Sequence, residues 1–406
     1  MFSRTRLCSS IKLLFGELDC GDSDSFVKLP SIDGDPLNVA FQYYEPYELD
    51  RLIEGLEKTL CVNTADSECS SRVQELRSAA SMDFSYDSSS ETLKLQALWP
   101  GGTHAVSAKP IDGHKAEVGV FTTDPSAGNA HELGVGGILA AAPDEKKEPS
   151  ILAFAVQSRH RRTDASFSAK FLKPHGLHPT LQLEISSAAV PADYEDQGGC
   201  GLHAYLTLPR TVFADRYQLA DELFMASKNL SSLRYASQPV DLEMPEYKNP
   251  PWGSTVLVEL APPDVSADAD SPWTAEIPLH LRYRAPAEGG YSKTRIPYPA
   301  VFWACQATEK AAFSGNPWDR ASLGYDALFK PTTNFWHVGP RTGTEGDDLT
   351  VAAKVPVLAP EKAGWVEVGT AATILVGFAW VLFSLFSAAR GKGVSGGKDT
   401  RAKKEQ

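Results

Sequence analysis

None of the six cysteines in this 406-residue chain stands in a Cys-x-x-Cys pair. They are scattered at Cys8, Cys20, Cys61, Cys69, Cys200 and Cys305. Zinc knuckles and thioredoxin-like redox sites need closely spaced thiols, so neither is indicated. In an oxidising compartment these residues would instead supply one to three disulfides. No His-Glu-x-x-His zinc motif and no strand–Ser–helix nucleophile elbow is found. Positive charge is scarce, with 39 lysines and arginines against 51 acidic residues and a net charge of −12. Such a chain repels phosphate backbones, which excludes nucleic acid as a partner. An internal repeat is absent. A secretory leader of the usual form is also missing: Arg4 and Arg6 precede an apolar stretch at 7–15 that Ser9, Ser10 and Lys12 interrupt. Either a later apolar segment drives translocation or the natural start lies upstream.

Motifs that would carry chemistry are thin. Asp22-Ser-Asp24, Asp33-Gly-Asp35 and Asp268-Ala-Asp270 have the Asp-x-Asp form that can hold a divalent metal through oxygen ligands. All three sit in Gly-, Ser-, Pro- or Ala-rich stretches, where acidic residues solvate a loop. His175-Gly-Leu-His178 flanks Gly176 and precedes Pro179, with no thiol or carboxylate nearby, and reads as a turn. Gly134-Val-Gly136-Gly137 lacks the third spaced glycine and the lysine of phosphate loops. No catalytic residue, cofactor or metal is expected.

One segment is unambiguous. Residues 368–389, VGTAATILVGFAWVLFSLFSAA, run for 22 residues without a charge. As a helix they span about 33 Å, enough to cross a ~30 Å hydrocarbon core. Ten of them are Val, Ile, Leu or Phe, each favouring insertion by roughly 0.3–0.6 kcal/mol. We read 366–389 as a transmembrane helix, reached through a linker at 359–365. The tail 390–406 carries six cations against Asp399 and Glu405, a net of +4, leaving −16 on residues 1–389. Cationic flanks stay cytosolic, so the large N-terminal part is expected in the lumen. A basic hydrophilic tail also argues against a glycosylphosphatidylinositol (GPI) attachment signal. Lys403 and Lys404, third and fourth from the C-terminus, resemble a dilysine signal for retrieval to the endoplasmic reticulum. Asn229-Leu-Ser231 is the one usable glycosylation sequon.

The remaining chain has room for two domains of ordinary size. Residues 1–165 are heterogeneous. Leu49, Leu52, Ile53, Leu56 and Leu60 have amphipathic-helix spacing. Strand-like pieces follow at 94–99, 116–122 and 151–156, with loops expected at 81–90 and 143–150; the region reads as β-rich or α+β. Over 166–358 short strands recur between turns, at 181–186, 203–208, 255–260, 277–283, 299–304 and 350–357. Prolines fall at their ends. The expected fold is therefore mainly β, an antiparallel β-sandwich borne on one C-terminal span. Cys200, in a Gly-rich turn, and Cys305, ending a strand, are expected to pair, two buried thiols being the alternative. If Leu279, Leu281 and Tyr283 face the core, period two puts His280 and Arg282 together on the outer face. There they are either ordinary solvent-facing residues or a contact surface for a partner, with Arg282 offering its fork of donors.

The segment 178–305 resembles the PIG-X family, including its fungal branch named for "protease B non-derepressible". The resemblance is carried in order by His178-Pro179, Leu208-Pro209, Phe213-Ala-Asp215-Arg-Tyr217-Gln-Leu219 and Asp241-Leu-Glu243-Met-Pro245. It continues with 277–283, Pro286, Tyr291, Pro297, Pro299 and Phe302-Trp303-Ala304-Cys305. Residues 1–165 match in broad layout alone. The resemblance implies a non-catalytic accessory subunit of GPI mannosyltransferase I in the endoplasmic reticulum membrane. Its partner would be the polytopic catalytic subunit, PIG-M-like, which adds the first mannose to the GPI precursor. The fungal branch implies a further role in folding other lumenal proteins. Two rival classes are a general chaperone or cargo receptor and a membrane-anchored lumenal enzyme. The second needs converging acids or histidines, which the sequence does not offer.

Overall fold

The computed structural model describes residues 8–9, 11–12, 20, 25–29, 41–44, 49–61, 67–79, 81–87, 92–98, 116–123, 134–142, 150–157, 159–173, 176–191, 199–237, 241–263, 271–306, 323–341 and 349–391. Contacts divide the chain into two units, one of residues 1–284 with 293–355 and one of residues 285–292 with 356–406.

In the first unit the N-terminal elements are small. Strands β1 (Val27–Lys28) and β2 (Phe41–Gln42) pair antiparallel. Helix α1 (Leu49–Leu60) buries Leu52, Ile53 and Leu56, while Leu60, at its end, is exposed. Asp50 in its first turn and Lys58 in its last complement the helix dipole. The apolar stripe meets Val73 of α2 (Ser67–Glu75), and a Cys61–Cys69 disulfide ties the two helices. Glu57 accepts hydrogen bonds from Ser70 Oγ and Gln74 Nε2, each at 2.7 Å. A hairpin of β3 (Ser81–Asp87) and β4 (Thr92–Leu98) follows. Then comes an antiparallel meander of β5 (Ala116–Thr123), β6 (Gly134–Ala142) and β7 (Ser150–Gln157). One sequence expectation is corrected here. The Ser- and Asp-rich stretch from 81 is strand as far as Asp87, because Met82, Phe84 and Tyr86 alternate with polar residues. Gly134–Gly137 lies inside a central strand.

The main sheet has eight strands: β8 (His160–Phe171), β9 (Thr180–Ile185), β10 (Cys200–Pro209), β12 (Leu230–Ala236), β13 (Gly253–Leu260), β14 (Trp273–Pro278), β17 (Ala300–Gln306) and β18 (Thr333–Pro340). Their order is β12-β13-β10-β17-β18-β8-β9-β14. The fold is mainly β, as expected, but the β18–β8 pair runs parallel, so the sheet is mixed rather than purely antiparallel. Strand β8 runs through residue 165, where the sequence suggested a boundary.

The two edge strands approach each other. Glu276 N–H donates to Lys228 O at 3.0 Å and Lys228 Nζ lies 2.6 Å from Glu276 Oε2, so the sheet curls nearly into a barrel. Period two is visible on β9, where Leu181, Leu183 and Ile185 are buried between half-buried neighbours. Gly253 is required by close approach, since a Cβ there would stand 1.9 Å from Leu208 O. The opposite face of the sheet, bearing Tyr205, Phe302, Ala304 and Phe335, is covered by Leu323, Tyr325, Leu328 and Phe329.

Short pairs complete this unit: β11 (Val212–Phe213) with β15 (His280–Leu281), and β16 (Tyr291–Pro297) with β19 (Thr350–Pro356). A third helix, α3 (Glu222–Ala226), is capped by Asp221, whose side chain accepts from Phe224 N–H.

In the second unit Val357 N–H donates to Gly290 O, after a turn in which Gly289 and Gly290 both take positive φ. Helix α4 (Ala363–Gly391) follows, 29 residues or about 43 Å long. Large apolar side chains project around it into the surroundings. Its threonine hydroxyls at Thr370 and Thr373 bond to their own helix backbone, as a lipid-facing segment requires. It is the one helix among the described residues long and apolar enough to cross a membrane.

Candidate functional site

The block 277–284 is built differently from a simple alternating strand. Ile277, Pro278, Leu279 and Leu281 are buried, but β15 is two residues long and alternation ends with it. Beyond it Arg282 N–H donates to Thr211 O. The expected arrangement is therefore reversed at its end: Arg282 is 4% exposed and Tyr283 is 64% exposed. Arg282 Nη1 donates to the carbonyls of Asp241 and Met244, both at 2.6 Å, and the guanidinium lies 4.5 Å above the Phe213 ring. Burial pulls its pKa down and the Asp241 charge opposes this. Two of its donors, both on Nη1, are thus used inside the protein. The side chain joins 211–213, 241–244 and 282 into one framework. Asp241 completes the joint, its carboxylate accepting from the Glu243 and Met244 N–H groups.

His280 is half-buried beside this framework. Its ring stacks on Phe213 and meets His178 edge-on at 4.7 Å, while Nε2 lies 3.1 Å from Gln218 Oε1. Burial, then the nearby His178, hold its pKa below the usual histidine value. His178 thus has His280 as a neighbouring imidazole; His175 lies outside the described residues. Cys200 and Cys305 face each other across β10 and β17 and are joined in a disulfide, Cα–Cα 4.1 Å. Asn229 is exposed and has φ of 55°, a left-handed conformation that asparagine tolerates. Its Nδ2 donates to Thr274 O at 2.8 Å. Lys403 and Lys404 and the three Asp-x-Asp motifs lie outside the described residues.

A second polar cluster went unread in the sequence. His160 Nε2 lies 3.0 Å from Asp326 Oδ1, and His160 Nδ1 lies 3.1 Å from His337 Nε2. Arg159 approaches Asp326 at 3.9 Å and donates to Thr333 O and Lys330 O. Burial pushes the Asp326 carboxyl up, but His160, the Leu323 N–H and Arg159 outweigh it and leave the pKa below the usual carboxylate range. The cluster clamps the covering segment 323–329 to the sheet. Its one available signal was the run Arg159-His160-Arg161-Arg162, whose partners are 166 or more residues away in sequence, the separation of His160 from Asp326. Among the described residues no three His, Cys, Asp or Glu side chains converge to hold a metal ion.

These features define a class: a β-rich domain on a single membrane-spanning helix, whose assembled polar groups brace loops. The chain belongs to the PIG-X / PBN1 family, whose model matches residues 174–386. It is 47% identical over 383 residues to Protein pbn1 of Neurospora crassa, covering 94% of this chain and 75% of that one. With Protein pbn1 of Emericella nidulans the identity is 37%, over 96% and 78% of the two chains. Protein PBN1 of Saccharomyces cerevisiae is 26% identical over 75% of this chain and 67% of its own length. Family and helix together describe a single-pass membrane protein.

Proposed function

We propose that this protein is an accessory, non-catalytic subunit in GPI-anchor biosynthesis. It resides in the endoplasmic reticulum membrane with its β-rich part in the lumen and its basic tail in the cytosol. Its partner is the multispanning catalytic subunit of GPI mannosyltransferase I, which transfers the first mannose, and its work is to keep that subunit folded. The observation that carries this reading is the family match, which takes in seven of the eight strands of the curled sheet, the Arg282 framework and most of the span. A protein that binds only the folded form of a partner lowers the partner's unfolded fraction by mass action, without touching substrate. Depleting the protein is expected to lower the level of the mannosyltransferase and leave unmannosylated GPI precursor in the membrane. Mannose transfer by the purified β-rich part alone would overturn the reading. Capture of many transient clients, with no stable multispanning partner, would replace it with a general chaperone.

A further inference from the structure

Three segments meet at Arg282 with little regular structure of their own, and each exposes a large side chain. Tyr217 is 66% exposed, Tyr247 61% and Tyr283 64%. The segments are bonded to one another: Glu246 N–H donates to Tyr283 O at 2.9 Å, and Gln218 reaches His280. Burying a guanidinium opposes folding unless its bonds fix something. What Arg282 fixes is the position of tyrosine-bearing loops. Tyrosine offers a wide apolar body with two rotatable bonds, so a held tyrosine loses little entropy on binding. Leu223 and Leu242 add exposed apolar surface along the same segments.

The charge of this face restricts what can cover it. Over 211–223 and 241–247, Asp215, Asp221, Glu222, Asp241, Glu243 and Glu246 stand against Arg216 alone. Arg284, the nearest further cation on 280–284, lies 4.0 Å from Glu246. An acidic face repels anionic headgroups and phosphate ligands and attracts cationic protein. We propose that the acidic, tyrosine-bearing face braced by Arg282 docks a basic loop, carrying apolar side chains, of the membrane-embedded partner. The inference rests on the accessory-subunit reading and names its contact surface: Tyr217, Tyr247 and Tyr283 are the anchors, and Arg282 is a positioning residue behind them.

The test uses the tagged full-length protein extracted in mild detergent. Two variants are compared with wild type, Tyr217→Ser/Tyr247→Ser/Tyr283→Ser and the charge reversal Glu222→Lys/Glu243→Lys. Both are expected to match wild type in protease resistance and melting temperature. Each is expected to retain about tenfold less partner, the factor lost with a single strong anchor, and wild-type capture should weaken as salt is raised. Partner capture equal to wild type by the charge-reversal variant, or by the tyrosine variant, overturns the surface. Should the tyrosine variant not fold, the charge reversal at two exposed positions decides alone. Loss of binding to phosphatidylcholine vesicles with partner capture intact would make this a lipid-facing surface and also overturn it. A wild-type protein that retains no multispanning partner overturns the accessory-subunit reading itself.

Discussion

Arg282 combines a buried cation, two short hydrogen bonds to backbone carbonyls and an aromatic ring beneath it. Replacing it by Met keeps the apolar stem but leaves the Asp241 and Met244 carbonyls without that donor. The expected loss is about 2–4 kcal/mol in a urea titration of the β-rich part. Lys should restore only part, because it has no planar fork. A second expectation concerns His203. It is buried between the rings of Phe302 and Phe329, and burial lowers its pKa against the pull of the Gly201 carbonyl and the Glu259 charge, with Arg234 adding to the lowering. Its neutral form is therefore favoured in the fold, and the unfolded chain binds the extra proton. Stability is full above the ordinary histidine value of about 6.5 and falls as pH drops from there towards the lowered value, by at most about 1.4 kcal/mol per pH unit. His280 contributes with the same sign. Unfolding titrations of His203→Phe across this window should show a flatter profile than wild type; an unchanged profile would remove His203 as a source. Neither environment was readable beforehand. The side chains around Arg282 come from segments about 40 and 70 residues upstream, and period-two reasoning fails once a strand stops after two residues.

Elements were legible where one face of a strand meets the core. Leu181, Leu183 and Ile185 on β9 and the apolar positions of α1 announce themselves by spacing. Strand β6 escaped because its glycines look like a loop, and β18 because Thr333–Pro340 has no clean alternation. The parallel β18–β8 pair could not be foreseen, since its strands are more than 150 residues apart and local pattern says nothing about direction. The Cys200–Cys305 bridge has an energetic consequence at this scale. It closes a 105-residue separation between neighbouring strands. The chain-entropy model gives a loss of roughly 4–5 kcal/mol for Cys200→Ala/Cys305→Ala, as an upper value. Equilibrium denaturation of both forms measures it. A loss under about 1 kcal/mol would mean that the strand ladder alone holds these two central strands together.

For the molecule as a whole, the most legible feature was the span, because an uncharged run of that length has few other places to go. Its surroundings are asymmetric, with +4 on the tail against −16 on the rest. Insertion with the tail in the cytosol satisfies the positive-inside bias, whereas the reverse would carry six cations across the bilayer. Asn229 provides an internal reporter of this topology. It is exposed, and although Nδ2 donates to Thr274 O, a glycosylated amide keeps one N–H for that bond. In sealed microsomes, added protease is expected to remove an epitope placed after residue 406 and to leave the β-rich part intact. Peptide N-glycosidase should increase the mobility of wild type by one glycan and leave Asn229→Gln unchanged. A protected epitope with a digested β-rich part would invert the topology and remove the β-rich part from the lumen.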